Sequence, residues 1–217
     1  RVPYGLAVHD EEEENAVLEI IKNKKTIMGE KVKQFEKNIA EIFAKRFGTM
    51  VNSGSSANLL AVSALTSDKL GTLKLVPGDE IVTVAAGFPT TVAPIIQVGA
   101  VPVFIDADPT TGNAKCEQLE SAYNPGKTKS VMMAHALGNP FNLLTTLKFC
   151  KKYNLWLIED NCDALGCSYT MPKEFANELG FFNNSPGLDA GTKNIIRWTG
   201  TWGDISTQSF YPPHHLT

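Results

Sequence analysis

Several features that would settle a protein's class are scarce in this sequence. The four cysteines, at 116, 150, 162 and 167, fall at irregular spacings with no C-x-x-C pair. That pattern argues against a disulfide framework or a zinc site and for reduced thiols in a cytoplasmic protein. No apolar run approaches the roughly 20 residues that span a bilayer. The opening Arg1-Val-Pro-Tyr-Gly5 leads into no apolar core or cleavage site, so no signal peptide is expected. Basic residues are not in excess either: 20 Lys+Arg against 23 Asp+Glu leave a net charge of −3, which offers no field to draw in nucleic acid or an anionic membrane.

What is present is an ordinary globular core. At 217 residues and 43% hydrophobic content the chain is one or at most two domains. Residues 10–24 read as a helix, with acidic residues at its start, where the dipole favours them, and Val17, Ile20 and Ile21 as its apolar face. A second helix is expected over 30–47, closed by Gly48. These two make an amino-terminal helical segment, 1–48, ahead of a larger unit, 49–217.

That unit opens on Val51-Asn-Ser-Gly-Ser-Ser-Ala-Asn58, a short apolar entry into a small-residue turn before a helix over 57–65. Ser55 and Ser56 are good N-caps, and Gly54 allows a ligand close to the backbone. Helix-start amides with two hydroxyls make an anion site suited to a phosphate, although an ordinary capped helix reads the same way. Strands then alternate with helices: strands near 80–85, 100–105, 129–135 and 155–159, helices near 90–98, 116–123 and 143–153. This alternation predicts an α/β layered fold with a mostly parallel sheet, in which ligands bind beyond the carboxyl ends of the strands. The strand ends carry Gly87-Phe88, Asp106, His135 and Glu159-Asp160, and Asp160-Asn-Cys-Asp163 adds a further carboxylate. A phosphate cradle, an aromatic plate and a carboxylate on one edge suit a flat phosphorylated pyridine. Residues 169–203 show little periodicity and read as an irregular insertion, a lid or a dimer contact. The run from Asp204 to Tyr211 is β-prone, and two prolines after it present His214 and His215.

These motifs together resemble the DegT/DnrJ/EryC1/StrS family of sugar aminotransferases and dehydrases. Its carriers here are Val51 to Asn58, Pro77-Gly-Asp-Glu80, Leu157-Ile-Glu-Asp160, and Gly203-Asp204 through Ser209-Phe210. The resemblance implies the aspartate-aminotransferase fold (pyridoxal-phosphate fold type I), a three-layer αβα large domain, truncated here so that the small domain is absent. It implies pyridoxal or pyridoxamine phosphate as cofactor. Gly54, Ser55, Ser56 and Ser209 would hold its phosphate, Phe88 would stack on its ring, and Asp160 would pair with the ring nitrogen. Asp163, also expected among the cofactor-binding residues, stands where the aminotransferases often carry Gln or His, and an acidic group there resembles the dehydrase branch.

His214 is the departure. Aminotransferases of the family place at this point the lysine that attaches the cofactor covalently, and an imidazole is not a primary amine. The stretch Ser209-Phe-Tyr-Pro-Pro-His-His-Leu-Thr217, with Gly138-Asn-Pro-Phe141 upstream, resembles the nucleotide-sugar 3-dehydrases, those acting on a CDP-linked 4-keto-6-deoxy sugar above all. There His214 would be the base, with His215 the less favoured choice. The resemblance further implies a homodimer and an electron-donating reductase. A [2Fe–2S] cluster would sit in the longer protein, its cysteine ligands outside this chain. An aminotransferase with a lysine elsewhere, such as Lys193, and an inactive fragment that keeps the fold are the competing expectations.

Overall fold

The computed structural model describes residues 8–211 and 214. The opening pentapeptide, both prolines of the closing turn and His215 lie outside the described residues. Two helices come first, α1 (Glu11–Lys22) and α2 (Glu30–Ile42). Asp10 caps α1 through a capping box with Glu13. No residue of α1 is buried, and Val17 and Ile21 of its apolar face are exposed. Helix α2 stops five residues short of the expected end because Ala44 turns left-handed at φ +50°. The Lys45 and Ala44 amides then close back on the Ala40 and Glu41 carbonyls in a Schellman pattern.

Helix α3 (Gly54–Ala64) leads to the sheet, which is built of β1 (Glu80–Val84), β2 (Val101–Ile105), β3 (Thr128–Ala134), β4 (Trp156–Asp160) and β7 (Ile205–Thr207). All five strands pair in parallel, in the order β2-β1-β3-β4-β7. The intervening helices are α4 (Pro89–Gln97), the single turn α5 (Leu119–Ala122) and α6 (Leu143–Tyr153). Residues 116–123, expected as one helix, begin instead as a 3₁₀ turn, Cys116–Gln118.

Alternation along the strands fills two cores. On one face Ile81, Met132 and Ile158 pack with Val62 of α3, Leu65 at its carboxyl cap and Ile95 of α4. On the other, Val82, Val131, Met133 and Leu157 pack with Leu143, Leu147 and Phe149 of α6. Each fully buried Leu, Ile or Met contributes roughly 1.5–3 kcal/mol, and the three-layer αβα reading is borne out.

The stretch 169–203 is not irregular. It holds β5 (Ser168–Pro172), α7 (Lys173–Leu179) and β6 (Asn194–Trp198), with β5 and β6 paired antiparallel. Met171, Ala176, Ile195 and Trp202 join the α6-side core, with Phe181 packed against them. The segment is part of the body of the fold. Its periodicity was hidden because the two strands are brought together across a helix and a loop.

Candidate functional site

At the carboxyl edge of the sheet a cavity of about 950 Å³ opens between α2, α3, the start of α4, β4 and the chain that follows β7. Its size suits a cofactor with part of a substrate. The amino-terminal segment is not separate from it, since Phe35, Ile39, Ala40 and Phe43 of the α2 region form one wall.

The amino end of α3 forms another wall. Ser53, not Ser55 or Ser56, is the cap: its Oγ accepts from the Ser56 amide at 3.1 Å. Ser56 is thereby drawn into the cap and is not part of the cavity wall, whereas Ser53, Gly54 and Ser55 are. Gly54 marks a close approach. A Cβ built on it would sit 2.9 Å from both Cys162 Sγ and Ser209 Cβ, and 3.2 Å from Ser209 Oγ. Only glycine at 54 lets Cys162 and the buried Ser209 come this close to the start of α3, beside the cavity. Gly54→Ala should cost about 1–3 kcal/mol through overpacking, read as a lowered midpoint in thermal unfolding. It should also weaken binding of a phosphorylated pyridine, measured by titration.

Strand alternation sends the two adjacent carboxylates of β4 to opposite faces, so they do not share the mouth of the sheet. Glu159 shares the α6-side face with Leu157 and is fully buried, 2.9 Å from His135 Nε2. It also accepts from the backbone amides of Gly200, Trp202 and Gly203. Burial alone would raise its carboxyl. The His135 hydrogen bond and charge, the Gly203 amide and the Lys45 charge outweigh burial and hold it below the ordinary value. His135 stacks on Phe141 with centroids 4.3 Å apart. Asp106 is tied to Gln118. Neither His135 nor Asp106 lines the cavity.

Asp160 faces the cavity, on the side of Ile158 and α3. Its Oδ2 accepts from Asn58 Nδ2 at 2.8 Å and Thr91 Oγ1 at 2.7 Å, and its Oδ1 from the Cys162 amide at 3.2 Å. Asn58 is set in turn by Thr207 Oγ1, 2.6 Å from its Oδ1, and by the Thr90 carbonyl, which accepts from Nδ2 at 3.1 Å. Pro94 explains that last bond. It lies inside α4 and has no N–H to offer the carbonyl four residues back, so Thr90 is free to hold Asn58. Asn58, Thr91 and Thr207 were missed from sequence. The signal for Asn58 was Pro94 itself, a proline tolerated within a helix.

Phe88 precedes Pro89 at the start of α4 and lines the cavity with a largely exposed ring (67%). Asp163 and His214 complete the opposite rim, with His214 Nε2 3.1 Å from Asp163 Oδ1. The cavity thus brings together Gly54, Ser55, Phe88, Asp160, Asp163, Ser209 and His214, and leaves Ser56 out.

One lysine among the described residues lines the cavity, Lys45. Its amine donates to the Gly203 carbonyl. Burial pulls its pKa down, against the charges of Glu159 and Asp204. Those partners belong to the far face of β4, away from Asp160. Lys193 is exposed and off the cavity. Burial raises the thiols of Cys116, Cys150, Cys162 and Cys167. No cluster that could hold a metal ion occurs among the described residues, nor any helix long and apolar enough to cross a membrane.

A parallel αβα sheet with its cavity at the carboxyl edge, closed by a short strand that carries the site's last residues, is the large domain of the aspartate-aminotransferase fold. Solved structures agree. One of GDP-4-keto-6-deoxymannose-3-dehydratase, a histidine-to-asparagine mutant with bound GDP-perosamine, is 30% identical, with a TM-score of 0.78, and covers 100% of this chain and 49% of its own. Another, of the E. coli GDP-4-keto-6-deoxy-D-mannose-3-dehydratase with bound hydrated PLP, is 32% identical with a TM-score of 0.71, covering 80% and 47%. The DegT/DnrJ/EryC1/StrS aminotransferase family model matches residues 7–217, and the chain belongs to that family. Among curated relatives, a lipopolysaccharide biosynthesis protein of Salmonella typhimurium is 48% identical over 183 residues, 84% of this chain and 36% of its own length. The dTDP-4-dehydro-2,6-dideoxy-D-glucose 3-dehydratase of Saccharopolyspora spinosa is 42% identical over 211 residues, 97% and 40% respectively. The chain spans less than half the length of these relatives.

Proposed function

We propose that this chain is the cofactor-binding part of a nucleotide-sugar 3-dehydrase that uses pyridoxamine phosphate noncovalently. The observation that carries the reading is His214, an imidazole rather than an amine, on the cavity rim across from the buried Asp160. The residues present fit the group: Gly54, Ser55 and Ser209 line the cavity at the start of α3, where the helix-start amides and the Ser209 hydroxyl would be donors to a phosphate. The Phe88 ring would cover the pyridine. Asp160, locked by Asn58 and Thr91, would keep a proton on the ring nitrogen.

When bound, the cofactor supplies an amine for the sugar's 4-keto carbon and a ring that takes up electron density. His214, on the cavity rim, would be the residue that takes up a proton there. The sugar's 3-hydroxyl is the leaving group. The substrate we propose is a CDP-linked 4-keto-6-deoxy sugar, as the Gly138 to Phe141 and Glu159 to Asp163 motifs imply. The relatives whose names state a nucleotide carry dTDP and GDP. Deoxysugar formation for a lipopolysaccharide O-antigen, a cytoplasmic setting, a homodimer, and electron delivery by a reductase through a [2Fe–2S] cluster outside this chain belong to the same reading.

Adding pyridoxal phosphate, reducing with borohydride and mapping peptides by mass tests it. The wild-type chain should bind cofactor that is lost on unfolding, with no stoichiometric adduct. His214→Lys should gain a visible absorption band and a reduced adduct at residue 214. A stoichiometric adduct on Lys45 in the wild type would favour the aminotransferase reading. Absence of binding would favour an inert fold.

A further inference from the structure

Phe88 is kept in place by very little of its own. Its ring is largely exposed, and its side chain makes no cap hydrogen bond to the helix that it begins. After β1 the Ala85 amide still donates to the Ile105 carbonyl at 2.8 Å. The amides of Ala86, Gly87 and Phe88 then donate to no backbone carbonyl among the described residues, and the stretch 85–88 is exposed throughout. Where the ring sits on the cavity wall is therefore decided by where α4 starts.

That start is held from its buried side. Thr91, in the first turn of α4, is 1% exposed, and its amide donates to the Phe88 carbonyl at 3.0 Å. Its hydroxyl donates to Asp160 Oδ2 at 2.7 Å. The same oxygen accepts from the Asn58 amide, which also donates to the Thr90 carbonyl at 3.1 Å. A hydrogen bond to a carboxylate is roughly twice as strong as one between neutral groups, so the Thr91 hydroxyl is the firmer of these two polar ties on the first turn. Ile95, fully buried in the α3-side core, anchors the helix only one turn further on. Phe88 and Asp160 both line the cavity, whereas Thr91 does not.

We infer that Thr91 is a positioning residue for Phe88: by fastening the first turn of α4 to Asp160, its hydroxyl fixes the spacing between the aromatic ring and the carboxylate on the cavity wall. The use of that spacing to seat a pyridine, with Phe88 on its face and Asp160 at its nitrogen, rests on the reading above. The hydroxyl acts through these two residues and touches no ligand itself.

The test is ¹⁵N relaxation of the labelled chain, without cofactor, in wild type, Thr91→Val and Thr91→Ser. Valine keeps the branched shape and loses the hydroxyl, and serine keeps the hydroxyl. The Phe88 amide should be rigid in the wild type, with an order parameter of about 0.85, and should fall below about 0.6 in Thr91→Val. Thr91→Ser should restore it. The Ile95 amide should stay rigid in all three, which reports an intact helix and core. A Phe88 amide that is mobile in the wild type or unchanged in Thr91→Val would overturn the inference, as would mobility that spreads to Ile95 or persists in Thr91→Ser. In titrations with pyridoxamine phosphate, Thr91→Val should weaken binding about tenfold, and less when Phe88 is already alanine. Equal losses in both backgrounds would likewise overturn it. The relaxation measurement uses no cofactor, so its failure would leave the dehydrase reading to the borohydride experiment. A chain that bound no cofactor would fail that reading and not the hold of Thr91 on Phe88.

Discussion

Glu159→Gln should lower the unfolding free energy by about 1–3 kcal/mol, the usual effect of leaving a buried hydrogen-bonding group unmatched. Both carboxylate oxygens face donors: Oε1 accepts from the Trp202 and Gly203 amides, and Oε2 from the Gly200 amide and His135 Nε2. A glutamine must turn its NH₂ against one of these pairs, so a buried donor meets a donor. The pH dependence should change as well. The Glu159 carboxyl is held below its ordinary value of 4.5, so its contribution is complete above that value and is lost as pH falls through the folded-state pKa. Chemical denaturation of wild type and variant at neutral pH and below pH 4.5 checks both points. The difference between them should be largest near neutrality and shrink in acid. An unchanged midpoint at pH 7 would mean that the network is not holding the turn at 200–203.

Asp160→Asn should be nearly as severe for binding while altering the shape very little. Every group around this carboxylate is a donor: the Asn58 amide, the Thr91 hydroxyl and the Cys162 N–H. Asparagine carries one acceptor where two are needed, and the unmet contact should cost about 1–3 kcal/mol of stability. Loss of the negative charge also removes the partner of a protonated ring nitrogen, so affinity for pyridoxamine phosphate should fall by at least tenfold. A charge-assisted hydrogen bond of about 1.5–3 kcal/mol corresponds to that loss. Isothermal titration with the wild type as reference reads the affinity. Equal affinities would remove Asp160 from the cofactor's contacts.

The large elements were legible because their patterns are local. The β-branched run of β1, the apolar run of β4 and the apolar spacing of α6 depend on neighbours within one turn or one strand. The placement of Asp160 followed from the rule that parallel sheets bind ligands at their carboxyl ends, that of Gly54 from the small-residue turn before a helix, and that of Ser209 from the family resemblance alone. The misses have specific causes. Ser53 took the cap from Ser55 and Ser56 because capping is decided by which residue stays extended, and three serines in four positions offer no choice by composition. Glu159 and Asp160 were placed together because adjacency in sequence is opposition in a strand. The pairing of β5 with β6 needs partners from Pro172 and Asn194 outward, a contact that no window of sequence contains. Asn58 is set by Thr90 and Thr207, the latter 149 positions away.

That last distance bears on how the molecule acquires its site. Ser209 meets the start of α3 at Gly54, and the carboxylate at Asp160 is braced through Asn58 by Thr207, the final residue of a three-residue edge strand. Loop closure over so many residues is entropically costly and is made late, once cheaper local contacts have formed. The Ser53 to Asn58 turn can be helical from early in folding, yet it remains a half-site until β7 docks beside β4. A chain released from denaturant should therefore regain its helical signal before it regains affinity for a phosphorylated pyridine.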